Sequence, residues 1–225
     1  KVHYCFNDID NRTSKKAKAI FSKKNIKVIK KKINNFNDFY ESYYINKNIN
    51  SPLVDGKIAF SKDYFTINKK KEWITNNLSR QRVHLIRSKY DSILSTSTSV
   101  NNDNSLLNCR LNGFDNKKPD LIIIDLSLKI KKNLNIFRLT HKRRILIITS
   151  IKENKKKTYL KKMGIKFLYI NSLFTKNDFI YLFKKLKKSG FNRILIETGL
   201  NFLNVLIKNK LIHNLYLFKS STKLG

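Results

Sequence analysis

The chain has 225 residues, 41% of them apolar, and its 48 Lys and Arg against 15 Asp and Glu give a formal net charge of +33. That length and apolar content support one ordinary domain with a small appendage and exclude a tail or a linker. No run of about 18 apolar residues marks a membrane span and no export signal is visible, so no membrane partner is expected and the cytoplasm is the expected compartment.

The charge taken alone points to a nucleic-acid partner through counterion release. The lysines, however, are spread over the whole length among many Asn and Ile, without an RNP-type aromatic motif, finger spacing or Gly-rich arginine tract. Runs at 30–32, 69–71 and 155–157 are expected in loops or on solvated helix faces, so no specific nucleic-acid partner is expected. Attraction for phosphorylated ligands follows in either case. Cys5 and Cys109 lie far apart in sequence, and His3, His84, His141 and His213 show no zinc spacing, so no disulfide and no metal is expected.

In chain order, residues 1 to about 48 read as a strand at 2–6, a helix capped by Thr13 or Ser14 that carries Ala17, Ile20 and Phe21, and a strand at 26–29. This block is too short to bury a core alone. The strand already under way at residue 2, with Met163 as the single methionine, suggests a chain that starts inside a longer protein. Ser51-Pro52 marks a boundary, because proline stops the Asn-rich helix before it and extends its predecessor.

From Leu53 onward, strands are expected at 54–60, 92–94, 121–124, 145–149, 166–170, 194–196 and 215–218. Helices are expected at 76–90, with Leu78, Val83 and Ile86 inward, and at 178–188, where Phe179, Leu182, Phe183 and Leu186 precede Gly190. A last helix at about 201–209 follows Gly199. Strands apolar on both faces, interleaved with helices, argue for an α/β sandwich with a largely parallel sheet.

Ligands in such sheets collect where strands end and helices begin. Glu197-Thr198-Gly199 stands at such a place, with a glycine for close backbone approach and a helix start for a phosphate. Taken alone, the tripeptide favours an ordinary strand–helix turn. A second polar stretch, 95–110 (STSTSVNNDNSLLNCR), holds one acid, Asp103, and closes on Arg110, framing Leu106 and Leu107. The third is Trp73-Ile74-Thr75 and the helix ending near Arg87, where Trp73 reads as a core or lid residue and Arg87 as either a site residue or a solvent-facing one. No G-x-G-x-x-G and no P-loop is present.

Together, 56–63 (GKIAFSKD), 73–75 (WIT), 82–87 (RVHLIR), 91–94 (DSIL), Ser99-Val100 with Asp103-Asn104, Leu107, Arg110, and 197–199 (ETG) resemble the reductase half of the bifunctional riboflavin-pathway deaminase/reductase. Residues 8–14 (DIDNRTS) and 24–28 (KNIKV) resemble the end of that family's deaminase domain, without its zinc motif. The resemblance divides the chain into a deaminase remnant at 1–50 and a reductase domain at 51–225 that ends early. It implies a dihydrofolate-reductase-like three-layer sandwich with a mostly parallel central sheet, a homodimer, and NADPH-dependent reduction of 5-amino-6-(5-phosphoribosylamino)uracil to the ribitylamino product.

By the same resemblance, Ala59, Trp73, Ser99, Asp103, Gly199, Leu200 and Asn201 match NADPH positions, and Arg87, Leu107, Arg110 and Glu197 match positions that hold the phosphorylated substrate. Asp103 is the expected proton-handling acid, with Glu197 orienting the substrate. Lys71 stands where the family often has a substrate-binding serine and supplies a different phosphate contact or none. Tyr64 replaces a usual glycine, Ser105 a proline, and Thr198 a glycine or alanine. Two other readings remain: a reductase of the same fold for another pyrimidine or pterin, and a basic nucleic-acid-binding protein on an old reductase scaffold.

Overall fold

The computed structural model describes residues 1–225 except 11, 15, 32–39, 41, 42, 44, 46–49, 68–72 and 115–118. Lys71, the run 69–71 and most of the Asn-rich stretch before Pro52 lie outside the described residues.

The first block consists of β1 (Val2–Tyr4), α1 (Lys16–Lys23) and β2 (Val28–Lys30). Strands β1 and β2 pair in parallel, with Val2 opposite Val28, and no residue of α1 is buried. Both strands are shorter than expected, and the helix lacks the buried face that would make this block a core of its own.

The second block starts after Ser51-Pro52 with β3 (Leu53–Phe60). It continues through α2 (Asn77–Arg87), β4 (Ser92–Thr96), α3 (Ser97–Asp103), β5 (Asp120–Ile124), β6 (Ile145–Thr149), α4 (Lys155–Lys162), β7 (Lys166–Tyr169), α5 (Lys176–Lys188), β8 (Arg193–Glu197), α6 (Leu200–Lys208) and β9 (Leu215–Lys219). Its seven strands form one sheet in the order β7-β6-β5-β4-β8-β3-β9, and every pairing is parallel. The chain runs outward from β4 to β7 and then returns to insert β8 between β4 and β3. That reversal opens a crevice at the carboxyl ends of β3, β4 and β8.

Both faces of the sheet are covered, which gives three layers. On one face Leu94, Ile122, Ile148 and Ile196 pack against Phe179, Leu182, Phe183 and Leu186 of α5 and Leu203 and Leu206 of α6. On the other, Ile93, Leu121, Ile123 and Ile147 meet Val100 of α3, Leu160 of α4 and the 3-10 turn at Asn135–Leu139, while Leu195 meets Ile86 of α2. Helix α5 starts in a capping box between Thr175 and Asp178 and ends at Gly190, whose φ of +92° only glycine adopts without strain. Gly56 has a packing role, because a Cβ there would stand 2.9 Å from Leu215 and 3.0 Å from Leu203. Its absence lets β9 and α6 close over β3.

Four expectations need correction. Leu78 is 74% exposed, because it lies five residues, about 140° around the helix, from the buried Val83. Helix α2 also stops at Arg87, three residues short of the expected end. Strand β4 runs past its expected end at 94 to Thr96, and within the polar stretch 95–110 Ser97–Asp103 is helical, capped by the Thr96 side chain on the Ser99 N–H. Finally, the run 155–157 opens helix α4, and Lys157 is buried there with its Nζ donating to Ile151 O at 3.0 Å.

Candidate active site

Strand register sets the floor of the crevice. Lys57 of β3 lies opposite Glu197 of β8, so their side chains share one face of the sheet. The Lys57 Nζ stands 3.6 Å from Glu197 Oε2. Across the crevice, Arg87 at the end of α2 forks onto the same carboxylate, Nε to Oε1 at 2.6 Å and Nη2 to Oε2 at 2.9 Å. Burial alone would raise the Glu197 carboxyl, but the charges of Arg87 and Lys57 outweigh it and bring the pKa down to about 2. Glu197 is therefore a buried, ionised acid held by two cations.

Arg87 spends its remaining Nη1 on Asn108 O at 3.0 Å. Asn108 in turn accepts from Arg110 Nη1 through its Oδ1 at 2.7 Å, and the Arg110 N–H donates to His84 Nδ1 at 3.3 Å. Burial, then Arg87 and Arg110, push the His84 pKa down, and the same Nδ1 lies 3.0 Å from Asn108 O, so the ring touches both Asn108 and Arg110. Arg110 itself is exposed and, with Lys142, lines a cleft of about 310 Å³ whose lining residues include no acid.

A second cluster joins the two strand–helix turns. Thr96 Oγ1 donates to Ser99 Oγ at 3.1 Å and lies 3.1 Å from Thr198 Oγ1, while the Gly199 N–H donates to Ser99 Oγ at 3.2 Å. Gly199 caps α6, yet its φ of −64° suits any residue, and a Cβ there would meet only Ser99 Oγ, at 3.9 Å. Neither the backbone nor the packing asks for glycine at this point, and what the missing side chain leaves is open space. Among the described residues no side chain caps α6, and its first turn carries no acid, so Leu200 and Asn201 sit at a helix start suited to an anion.

Asp103 ends α3 on the exposed side, where surrounding atoms exclude enough water to push its carboxyl pKa up, against a pull down from Lys57. Ala59 lies two residues beyond Lys57 on the same face of β3. Trp73 is 74% exposed beneath the Arg80 guanidinium, 5.1 Å from its ring, so it is not a core residue. Leu107 packs into the core with Val100, its backbone at φ 46°. Tyr64 keeps a left-handed φ of 69° and stacks on Phe60, which accommodates a conformation that glycine would adopt freely.

The structure thus brings Arg87 to Glu197 and Ser99 to Gly199, and leaves Trp73 outside these clusters. Arg87 and Glu197, expected as two separate contacts for substrate, are bonded to each other. Lys57, Asn108 and Thr96 went unassigned by sequence reasoning. Lys57 had a signal, a lone cation inside the apolar strand at 54–60, whereas Asn108 had none.

Residues 53–225 match the family described as the RibD C-terminal domain. The chain belongs to that family. It is 30% identical over 206 residues to the riboflavin biosynthesis protein RibD of Buchnera aphidicola subsp. Baizongia pistaciae, covering 82% of this chain and 54% of that protein. It is 27% identical over 176 residues to the 5-amino-6-(5-phosphoribosylamino)uracil reductase of Buchnera aphidicola subsp. Acyrthosiphon pisum, covering 68% and 77%. The chain spans about half the length of the RibD proteins it matches, 45% for that of Aquifex aeolicus. Among solved structures, Acinetobacter baumannii RibD superposes with a TM-score of 0.81 at 21% identity, over 100% of this chain and 61% of that one. Saccharomyces cerevisia Riboflavin Biosynthesis Reductase Rib7 superposes at 0.64 and 21%, over 84% and 83%. The fold is that of these reductases, a dihydrofolate-reductase-like sandwich.

Proposed function

We propose that this RibD C-terminal domain reduces 5-amino-6-(5-phosphoribosylamino)uracil with NADPH, giving the ribitylamino product. The observation that carries the reading is the pairing, in one crevice, of an unneeded glycine at an uncapped helix start with a buried, doubly paired carboxylate. The first suits a nucleotide phosphate and the second a polar pyrimidine. The Buchnera relative named for this reductase activity supports the choice of substrate.

When bound, NADPH supplies the hydride. Gly199, Leu200 and Asn201 would hold its phosphates at the start of α6, and Ser99, Ala59 and Trp73 would flank it. For the sugar to accept hydride at C1, its ring C–O bond must break, with a proton going to the ring oxygen and a C=N bond forming to the base nitrogen. Asp103, the acid that burial shifts towards its protonated form, is assigned that transfer, and Lys57 stabilises the carboxylate left behind. Glu197, kept charged, accepts N–H groups of the pyrimidine, and Arg87 fixes its direction. Arg110 takes the phosphate.

Residues 1–50 are assigned to the end of a deaminase-like domain. The superposition of the whole chain on Acinetobacter baumannii RibD supports this.

Turnover followed by loss of NADPH absorbance, with the product identified by mass spectrometry, tests the assignment. Consumption of NADPH with another pyrimidine or a pterin, and none with the proposed substrate, would replace the substrate. Absence of NADPH binding would remove the enzyme reading altogether.

A further inference from the structure

Three guanidinium groups converge on the short stretch between α3 and the basic cleft. Arg87 and Arg110 both bond to Asn108, through its carbonyl and its side chain. Arg143 takes the two residues before it, Nη1 donating to Leu107 O at 2.6 Å and Nη2 to Leu106 O. Nη1 also donates to Pro119 O at 3.2 Å.

Arg143 differs from the other two in its surroundings. It is 6% exposed, its hydrogen-bond partners among the described residues are main-chain carbonyls alone, and its Nε is buried without a partner among those residues. Burial, with repulsion from Arg87, pushes its pKa down to about 10. Keeping a cation in such a place is unfavourable unless the shape it enforces is needed.

That shape is visible in the backbone. Asn104 and Leu107 both hold left-handed φ values, 44° and 46°, and for a leucine this is a strained conformation. The turn at Leu107 sends that side chain into the core and leaves Asn108 facing Arg87 and Arg110. Arg143 itself hangs from the turn that carries Lys142, since the amides of both residues donate to Leu139 O. It therefore ties together the two sides of the cleft that Arg110 and Lys142 line.

We propose that Arg143 is a positioning residue for the anionic end of the substrate. By holding the Leu106 and Leu107 carbonyls it sets residues 108–110 in the one shape that presents Arg110, beside Lys142, to a phosphate. The inference rests on the proposed reading that the substrate carries a sugar phosphate.

Two variants separate geometry from charge. Arg143→Met keeps length and packing without donors, and Arg143→Lys keeps the cation without the planar fork that spans two carbonyls. Three quantities are read: the Kd of ribose 5-phosphate by calorimetry, the KM of the pyrimidine phosphate, and the Kd of NADPH by fluorescence. Both variants should raise the first two about tenfold and leave NADPH within about twofold, a split that general destabilisation does not produce. Wild-type affinity for ribose 5-phosphate in Arg143→Lys overturns the proposal. So do equal losses for NADPH and sugar phosphate, and so does a failure of both variants to fold, which would make Arg143 structural only. If the wild-type protein binds ribose 5-phosphate but does not turn over the pyrimidine, the proposed substrate falls and Arg143 is still decided by the sugar-phosphate Kd. If it binds no ribose 5-phosphate, both fall.

Discussion

Glu197 is a carboxylate enclosed with two cations, and burial and pairing pull its proton affinity in opposite directions. Pairing wins, so the folded pKa of about 2 lies below the unfolded one. The sign follows: this contribution to stability is complete above the unfolded glutamate pKa, near 4.5, and is lost as pH falls towards 2. Glu197→Gln should abolish that acid-side dependence and leave Arg87 buried beside a neutral partner. The expected cost is about 3 kcal/mol or more, roughly 6–12 °C in Tm, measured by calorimetry at neutral pH. A Tm unchanged from wild type would show that Arg87 finds another partner. Asp103 makes the opposite case, with its pKa raised rather than lowered. Asp103→Asn should lower kcat by about ten- to a thousandfold while NADPH binding persists. Single-turnover hydride transfer at the wild-type rate would remove Asp103 from proton handling and leave Glu197 as the next candidate.

At the level of elements, α6 carries a clean test, because its cap combines ordinary backbone angles with space for a methyl group. Gly199→Ala should change stability by no more than about 1 kcal/mol, the usual span of cap substitutions. It should nonetheless weaken NADPH at least about tenfold, since the Cβ occupies the ligand's approach. Equal NADPH affinity, measured by fluorescence titration, would place the cofactor elsewhere. The elements also differ in how far their residues announced them. The strand expected at 145–149 is found there, because five apolar or β-branched residues in a row are buried on both faces. Helix α5 was legible for a related reason, four buried apolar residues at helical spacing behind a capping box. Helix α3 was not, since Ser, Thr, Asn and Asp are weak helix formers and Ser97–Asp103 contains a single apolar residue, Val100. Its helix is imposed by the Thr96 cap, by Val100 in the core and by the bond from Ser97 Oγ to Asp125 at 3.0 Å. The site shows the same division. Its motif pieces were readable by resemblance, but the bond between Arg87 and Glu197 joins residues 110 apart, and no local pattern carries that.

For the whole molecule, a net charge of +33 acts on anions over distance rather than by shape. DNA should bind weakly, without sequence preference, and release between roughly 50 and 200 mM salt as counterions compete. Fluorescence anisotropy with two unrelated duplexes checks this, and a sequence preference that survives the higher salt would revive the nucleic-acid reading. The order of the sheet has a different consequence, one of timing. Strand β3 is flanked on both sides by strands that come late in the chain, β8 and β9. Leu53 precedes Arg193 by about 140 residues, which at roughly 5–20 residues per second leaves β3 without neighbours for roughly 7–28 s of synthesis. During that interval an apolar strand with two open edges is exposed to chaperones and to other chains. Lys57 meets Glu197 only once β8 has been made, so the nascent polypeptide carries the first wall of its binding crevice long before it can close it.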